Sequence, residues 1–226
     1  MKRTQGGDRL QQGLVAATLV ITAVSTMVGM AGHSGQGWVD PFRVWLDADW
    51  NGIVPVGFET GCLLMAAAAC AWRARDSSRA AGGAWASHWY GLAVVAALMG
   101  VEKAVGLHEI AAGRVAQDFG TFRGGLFGVF IGPALVVVGF LAWAYRDFAK
   151  ALPKETRRGL LIGWGLLLAG GIGVEVVQAT WIRMTGEVDV VVVLLSNLEE
   201  GVEMLGAAMI AWVLWRLVRR QVALYA

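Results

Sequence analysis

The sequence predicts an all-α fold: a polytopic membrane protein folded as a six-helix transmembrane bundle, one domain over residues 1–226. Three observations carry that expectation. The chain is 57% hydrophobic and only 16% charged, where a soluble domain averages roughly a quarter charged residues, and its mean hydropathy is +0.57. Apolar segments of about the 20 residues needed to cross a bilayer recur six times. Lys and Arg collect in alternate connections between them. The net charge of +2 is small, and the basic residues are spread between apolar runs rather than along one face. The expected partner is therefore the lipid bilayer and not nucleic acid.

The first span, residues 14–31, follows Lys2, Arg3 and Arg9. A basic start before an apolar stretch also suits a cleaved signal peptide; the expectation is a retained helix. In the loop that follows, "WVDPFRVWLDAD", Asp40 is placed to cap and Pro41 to begin a short interfacial helix. Trp38, Trp45 and Trp50 would hold it at the headgroup level.

The stretch "LDADWNGIVPVGFE" begins like a calcium loop, with Asp47, Asp49, Asn51 and Gly52. Such a loop needs a bidentate Glu six residues after the glycine, but Phe58 stands there and Glu59 comes one residue late. The preferred reading is a polar turn that leads into the second span, with calcium at Asp47, Asp49 and Asn51 as the competing one. The second span, residues 54–72, holds Cys62 and Cys70 in one apolar run without a CxxC, so they read as buried packing residues.

The third span is read as one helix over residues 89–112. The fourth, residues 124–145, carries Gly124, Gly128 and Gly132 as a GxxxGxxxG ribbon, which lets a neighbouring helix approach closely. That neighbour is expected within the bundle, in a homo-oligomer or in a larger membrane complex. Pro133 is a candidate kink. The fifth and sixth spans cover residues 159–181 and 190–215. Arg73, Arg75 and Arg79 follow the second span, Arg146 to Arg158 the fourth, and Arg216, Arg219 and Arg220 the sixth. With the basic N-terminus, these place both termini on the cytoplasmic side.

The chemistry is expected from acids inside the spans, because a charge at mid-bilayer costs a few kcal/mol on insertion scales and normally faces a cavity or partner. Glu59 lies in the second span; Glu102, Lys103, His108 and Glu109 in the third; Glu175 and Gln178 in the fifth; Asn197, Glu199, Glu200 and Glu203 in the sixth. On uninterrupted helices Glu102 and Glu109 share a face, as do Glu199 and Glu203. Chain direction places all the acids from the membrane centre to the external surface. At 1.5 Å per residue, Glu203 lies on the order of 20 Å below the start of its span, with Glu59 much shallower.

So many carboxylates need protons, a partner such as Lys103, or a bound cation. The expected metal ligands are Glu102, His108, Glu109, Glu175, Glu199 and Glu203, with Glu59 and Glu200 as weaker candidates and Lys103 as counter-ion. A divalent metal ion is the expected cofactor, since hard cations take oxygen ligands and transition metals accept carboxylate with imidazole.

"LDADWNGIVPVGFE", "VEKAVGLHE", the "GVE" of the fifth span and "LEEGVEMLGA" together resemble an uncharacterised family of bacterial multipass membrane proteins. That family carries D-x-(D/N)-x-E-G-x-(I/L/V)-P before its second span, D-E-x4-H-E in the third and E-E-x2-E-(M/L)-x-G in the sixth. The resemblance covers about residues 46–215. Here Glu102 and Lys103 replace the Asp-Glu pair, and Asn51 stands in the acidic position before the glycine. The resemblance implies a multipass fold in the bacterial cytoplasmic membrane and no assigned activity.

The function expected from the residues is an outward-facing intramembrane carboxylate/His site that binds a cation for transport or sensing. A metal-dependent membrane enzyme (hydrolase or oxidoreductase), a proton-coupled carrier and an accessory subunit of a membrane complex are the alternatives. No GxSxG, HExxH or histidine-rich box favours the enzyme.

Overall fold

The structure, a computed structural model, describes residues 5–48, 52–79, 83, 85–107 and 126–225. Helices make up the described residues, with no strand among them. In chain order they are α1 (Gln5–His33), a 3₁₀ turn (Gly37–Val39) leading into α2 (Asp40–Leu46), α3 (Ile53–Arg79), α4 (Ala86–Val105), α5 (Leu126–Ala144), α6 (Arg146–Ala151), α7 (Lys154–Leu168), a π-helical segment (Ala169–Val174), α8 (Glu175–Thr185) and α9 (Val190–Tyr225). Four runs are long and apolar enough to cross a membrane: Arg9–His33, Ile53–Ser78, Lys154–Thr185 and Val190–Val222. Gly132–Ala144 is a shorter apolar helix.

Helix α9 is the centre of the bundle, in contact with α1, α3, α7, the π segment and α8, while α4 packs along α3. The contact faces are built from small residues, which lets apolar helices come close where lipid supplies no hydrophobic drive between them. Ala66 and Cys70 of α3, Ala96 of α4 and Ala207 and Ala211 of α9 are buried together with Leu63, Ile210 and Leu214. Cys62 and Cys70 are both free and buried. Leu19, Val20, Met27, Leu98, Val136, Phe140, Trp143 and Leu161 are exposed around the outside, as a lipid-facing surface requires.

Helix α7 approaches α9 closely. A Cβ on Gly159 would stand 2.6 Å from Val213 Cγ2, and one on Gly206 would stand 2.7 Å from the Gly163 carbonyl oxygen. The GxxxG spacing that operates inside this chain is thus Gly159–Gly163 in "GLLIG". In the Gly124/Gly128/Gly132 ribbon, a Cβ on Gly132 would meet nothing within 4 Å. Gly124 lies outside the described residues.

Helix α4 ends at Val105, where Gly106 takes φ +64° and caps it with a bond from its N–H to the Glu102 carbonyl; residues 108–112 of the expected third span lie outside the described residues. Glycine enters this left-handed region without a Cβ penalty. The sixth helix runs to Tyr225, well past residue 215.

The connection between α1 and α3 is folded into the bundle. Asp40 was expected to cap α2 through its side chain. Instead the 3₁₀ turn runs directly into the helix, and the Asp40 N–H bonds to the Gly37 carbonyl. Asp47 is completely buried, and Arg43 Nε donates to its Oδ2 at 2.9 Å. The Gly52 N–H then closes onto the Asp47 carbonyl at 2.9 Å. A Cβ at Gly52 would collide with the Asp47 backbone at 2.8 Å, so only glycine allows that turn. The Arg43–Asp47 pair thus closes the end of α2, and it lies against Gly29 and Gly32 of α1; Asp49 and Asn51 lie outside the described residues.

Candidate functional site

Three helices bring charge to one place. Lys103, in the last turn of α4, directs its Nζ between Glu200 Oε1 at 2.7 Å, Glu203 Oε2 at 2.9 Å and Glu59 Oε2 at 3.4 Å. Glu200 and Glu203 come from α9 and Glu59 from α3. All four side chains are at most 14% exposed. One oxygen from each of the three carboxylates lies within 4.8 Å of the other two. Glu59 Oε2 is buried and makes no hydrogen bond.

The depth of each residue follows from a second polar knot, towards the α2 end. Ser25 of α1 donates to Asn197 Oδ1 at 2.6 Å and accepts from the Ala48 N–H at 2.7 Å. Asn197 Nδ2 in turn donates to the Val193 carbonyl at 2.9 Å. A Cβ at Gly29 would touch Asp47, Val193 and Asn197 at once. The start of α3 is therefore level with Val193–Asn197, one to two turns inside α9. Glu59 and Glu203 each lie roughly 10 Å further along their helices at 1.5 Å per residue. They meet at one height. The sequence reading placed Glu59 much shallower because it measured both helices from a common membrane surface, whereas the tucked-in connection starts α3 deeper.

The π segment closes the side of the site opposite Lys103's helix. A Cβ on Gly170 would stand 2.6 Å from Glu203 Cγ and 3.0 Å from the Glu199 carbonyl, and one on Gly171 would strike Glu203 Oε1. Gly-Gly permits both the close approach and the extra residue in the turn; π-bulges of this kind often occur at functional sites. Immediately after it, Glu175 opens α8. Glu199 lies within electrostatic reach of Glu203, Glu175 and Glu200. Towards the α2 end, Gln178 Nε2 donates to Ser196 at 2.8 Å, which ties α8 to α9. Asp189 fixes the turn between those helices: its Oδ1 accepts the Val191 N–H at 3.0 Å as an N-cap and takes the Trp181 indole N–H at 3.1 Å.

Of the residues singled out from sequence, the structure groups Glu59, Glu200 and Glu203 around Lys103, with Glu199 and Glu175 beside them. Glu102 precedes Lys103 on α4 and is half-buried, outside the close triad. His108 and Glu109 lie outside the described residues. Ser25, Gly170 and Gly171 carried no assignment in the sequence reading. A serine among apolar residues and a Gly-Gly pair about one turn from an intramembrane acid were the available signals.

Chemically, three carboxylates around one ammonium leave two negative charges in excess if all are ionised. Burying unbalanced charge is costly, so the cluster is suited to take a cation or protons. Carboxylate oxygens alone suit a hard divalent ion such as magnesium, calcium or manganese.

A family model described as a domain of unknown function (DUF8692) matches residues 13–217, and the chain belongs to that family. No curated protein and no solved structure matches it.

Proposed function

For this member of the family, we propose an integral membrane protein that binds a divalent cation in an intramembrane carboxylate site, for transport or sensing. The observation that carries the reading is the convergence of Glu59, Glu200 and Glu203 from two helices, with one oxygen of each within 4.8 Å of the others. Glu199 and Glu175 are the neighbouring ligands by which an ion would enter or leave; Glu102, His108 and Glu109 remain proposed ligands on the sequence pattern alone.

In this reading six spans cross the bacterial cytoplasmic membrane, with both termini cytoplasmic and the site reached from outside. The gathering of charge at the far end from α2 supports that orientation. Arg220 of α9 meets Glu155 of α7 at 3.2 Å, and Gln221 reaches Asp76 of α3 at 2.8 Å. The ends that carry Arg73, Arg157 and Arg219 are therefore one face, as the positive-inside pattern demands. Trp38, Phe42 and Trp45, all exposed around α2, support a headgroup position for that helix. The open surface at Gly132 supports a partner helix on α5 in an oligomer or a larger complex.

The test is metal content. Protein purified in detergent and titrated with manganese(II), followed by electron paramagnetic resonance, should take up about one ion per chain. Glu203→Ala should lose it with the fold retained by circular dichroism. Wild type that takes up no ion, or Glu203→Ala that binds as wild type does, would remove the proposal.

A further inference from the structure

We infer that Lys103 is a tethered competitor for the cation, so that an ion enters the carboxylate site by displacing this ammonium. The inference rests on the cation-site reading and adds how that site is regulated.

Position is the first argument. Nζ lies 2.7 Å from Glu200 Oε1 and 2.9 Å from Glu203 Oε2, the separation of charge-assisted hydrogen bonds. A hard cation held by the same carboxylates would sit about 2.0–2.6 Å from their oxygens. It would fill the space Nζ now fills. Both cannot be bound at once.

The second argument is Glu59. It is 3% exposed, and its Oε2 is aimed at Nζ from 3.4 Å without forming a hydrogen bond to any group. Three donors on one tetrahedral ammonium hold two of these carboxylates well and the third poorly. A metal ion has no such directional limit and would draw all three to one distance. The site is thus better filled by an ion than by its own lysine.

The third argument is freedom to move. Lys103 carries its charge on a flexible four-carbon stem, and its helix ends two residues later at Val105, where Gly106 turns the chain at φ +64°. Nothing in the last turn of α4 needs to unfold for Nζ to withdraw. The Glu200 and Glu203 backbones, by contrast, lie well inside α9, which packs on the π segment at Glu199 and Glu203. The ligands stay in place while the competitor leaves. A site whose resting cation is part of the chain never exposes bare carboxylates to the membrane, and it releases its ion by the return of the lysine. That suits reversible exchange rather than permanent metal retention.

Manganese(II) affinity is compared in wild type, Lys103→Met and Lys103→Arg. Removal of the competitor should tighten binding by about tenfold or more, and arginine, always charged and able to bind carboxylates in a fork, should weaken it. In wild type, saturating manganese(II) should increase labelling of Lys103 by an amine-directed reagent, read by peptide mapping, while the other lysines are unaffected. If wild type binds and Lys103→Met binds equally or more weakly, or if labelling of Lys103 is unchanged at saturation, the competitor role is overturned and the cation site stands. If wild type does not bind, the cation site itself fails. Should Lys103→Met not fold, the arginine variant and the wild-type labelling decide.

Discussion

Replacing Gly206 by alanine adds one methyl group where the backbones of α7 and α9 approach closely. The new Cβ would lie 2.7 Å from the Gly163 carbonyl oxygen and 2.8 Å from the Leu167 nitrogen, about 0.7 Å inside ordinary contact. Neither neighbour is a side chain, so no rotamer change relieves the overlap; α7 and α9 must move apart. An opening of that size forfeits a quarter to a half of the dispersion energy of the atoms facing it, here Leu160 and Leu167 against Ile210, Val213 and Leu214. Overpacking of this kind costs about 1–3 kcal/mol. Gly165, on the same helix α7, is the control, because a Cβ there meets nothing within 4 Å. Gly165→Ala should be neutral, or stabilising by up to about 1 kcal/mol through helix propensity. Unfolding in mixed micelles, followed by circular dichroism against the fraction of denaturing detergent, measures both. The reasoning is refuted if Gly206→Ala unfolds where wild type does, or if Gly165→Ala is destabilised as much.

Asn197→Ala should cost about 1–3 kcal/mol in the same assay, because it leaves the buried Ser25 hydroxyl without its acceptor and loosens the α1–α9 contact that sets the height of α3; unchanged stability would show that the Ser25–Asn197 bond does not hold the bundle. Outside the spans, Lys150 and then Arg146 hold the Asp147 carboxyl below its usual range. A depressed acid favours the folded state at pH above its unfolded value, and that contribution fades as pH falls through the folded value. The pair is fully exposed, so the contribution is small. Lys150→Ala should return the Asp147 titration toward that of an ordinary carboxylate, read by carbon-13 NMR of labelled aspartate, and an unmoved titration would assign the effect elsewhere.

The amino-acid sequence alone determined that this chain is helical and apolar enough for a membrane. It also determined that a few acids stand where acids are expensive. Those are local properties: mean hydropathy, segment length and the position of Glu59, Glu175, Glu199 and Glu203 within their segments follow from composition and chain order. Which acids meet is not local. Glu59 joins Glu200 and Glu203 because Asp47 and Ala48 pack against Ser25, Gly29 and Asn197, which starts α3 below the top of α9. Lys103 reaches all three because α4 packs along α3 and stops at Gly106. Glycine spacing shows the same division. "GLLIG" and the ribbon from Gly124 to Gly132 are equivalent as patterns, since spacing says that a helix face is smooth and not whether anything lies against it. Only the tertiary structure put α9 on one of them, because contact between helices depends on the relative placement of whole segments, which no single segment encodes.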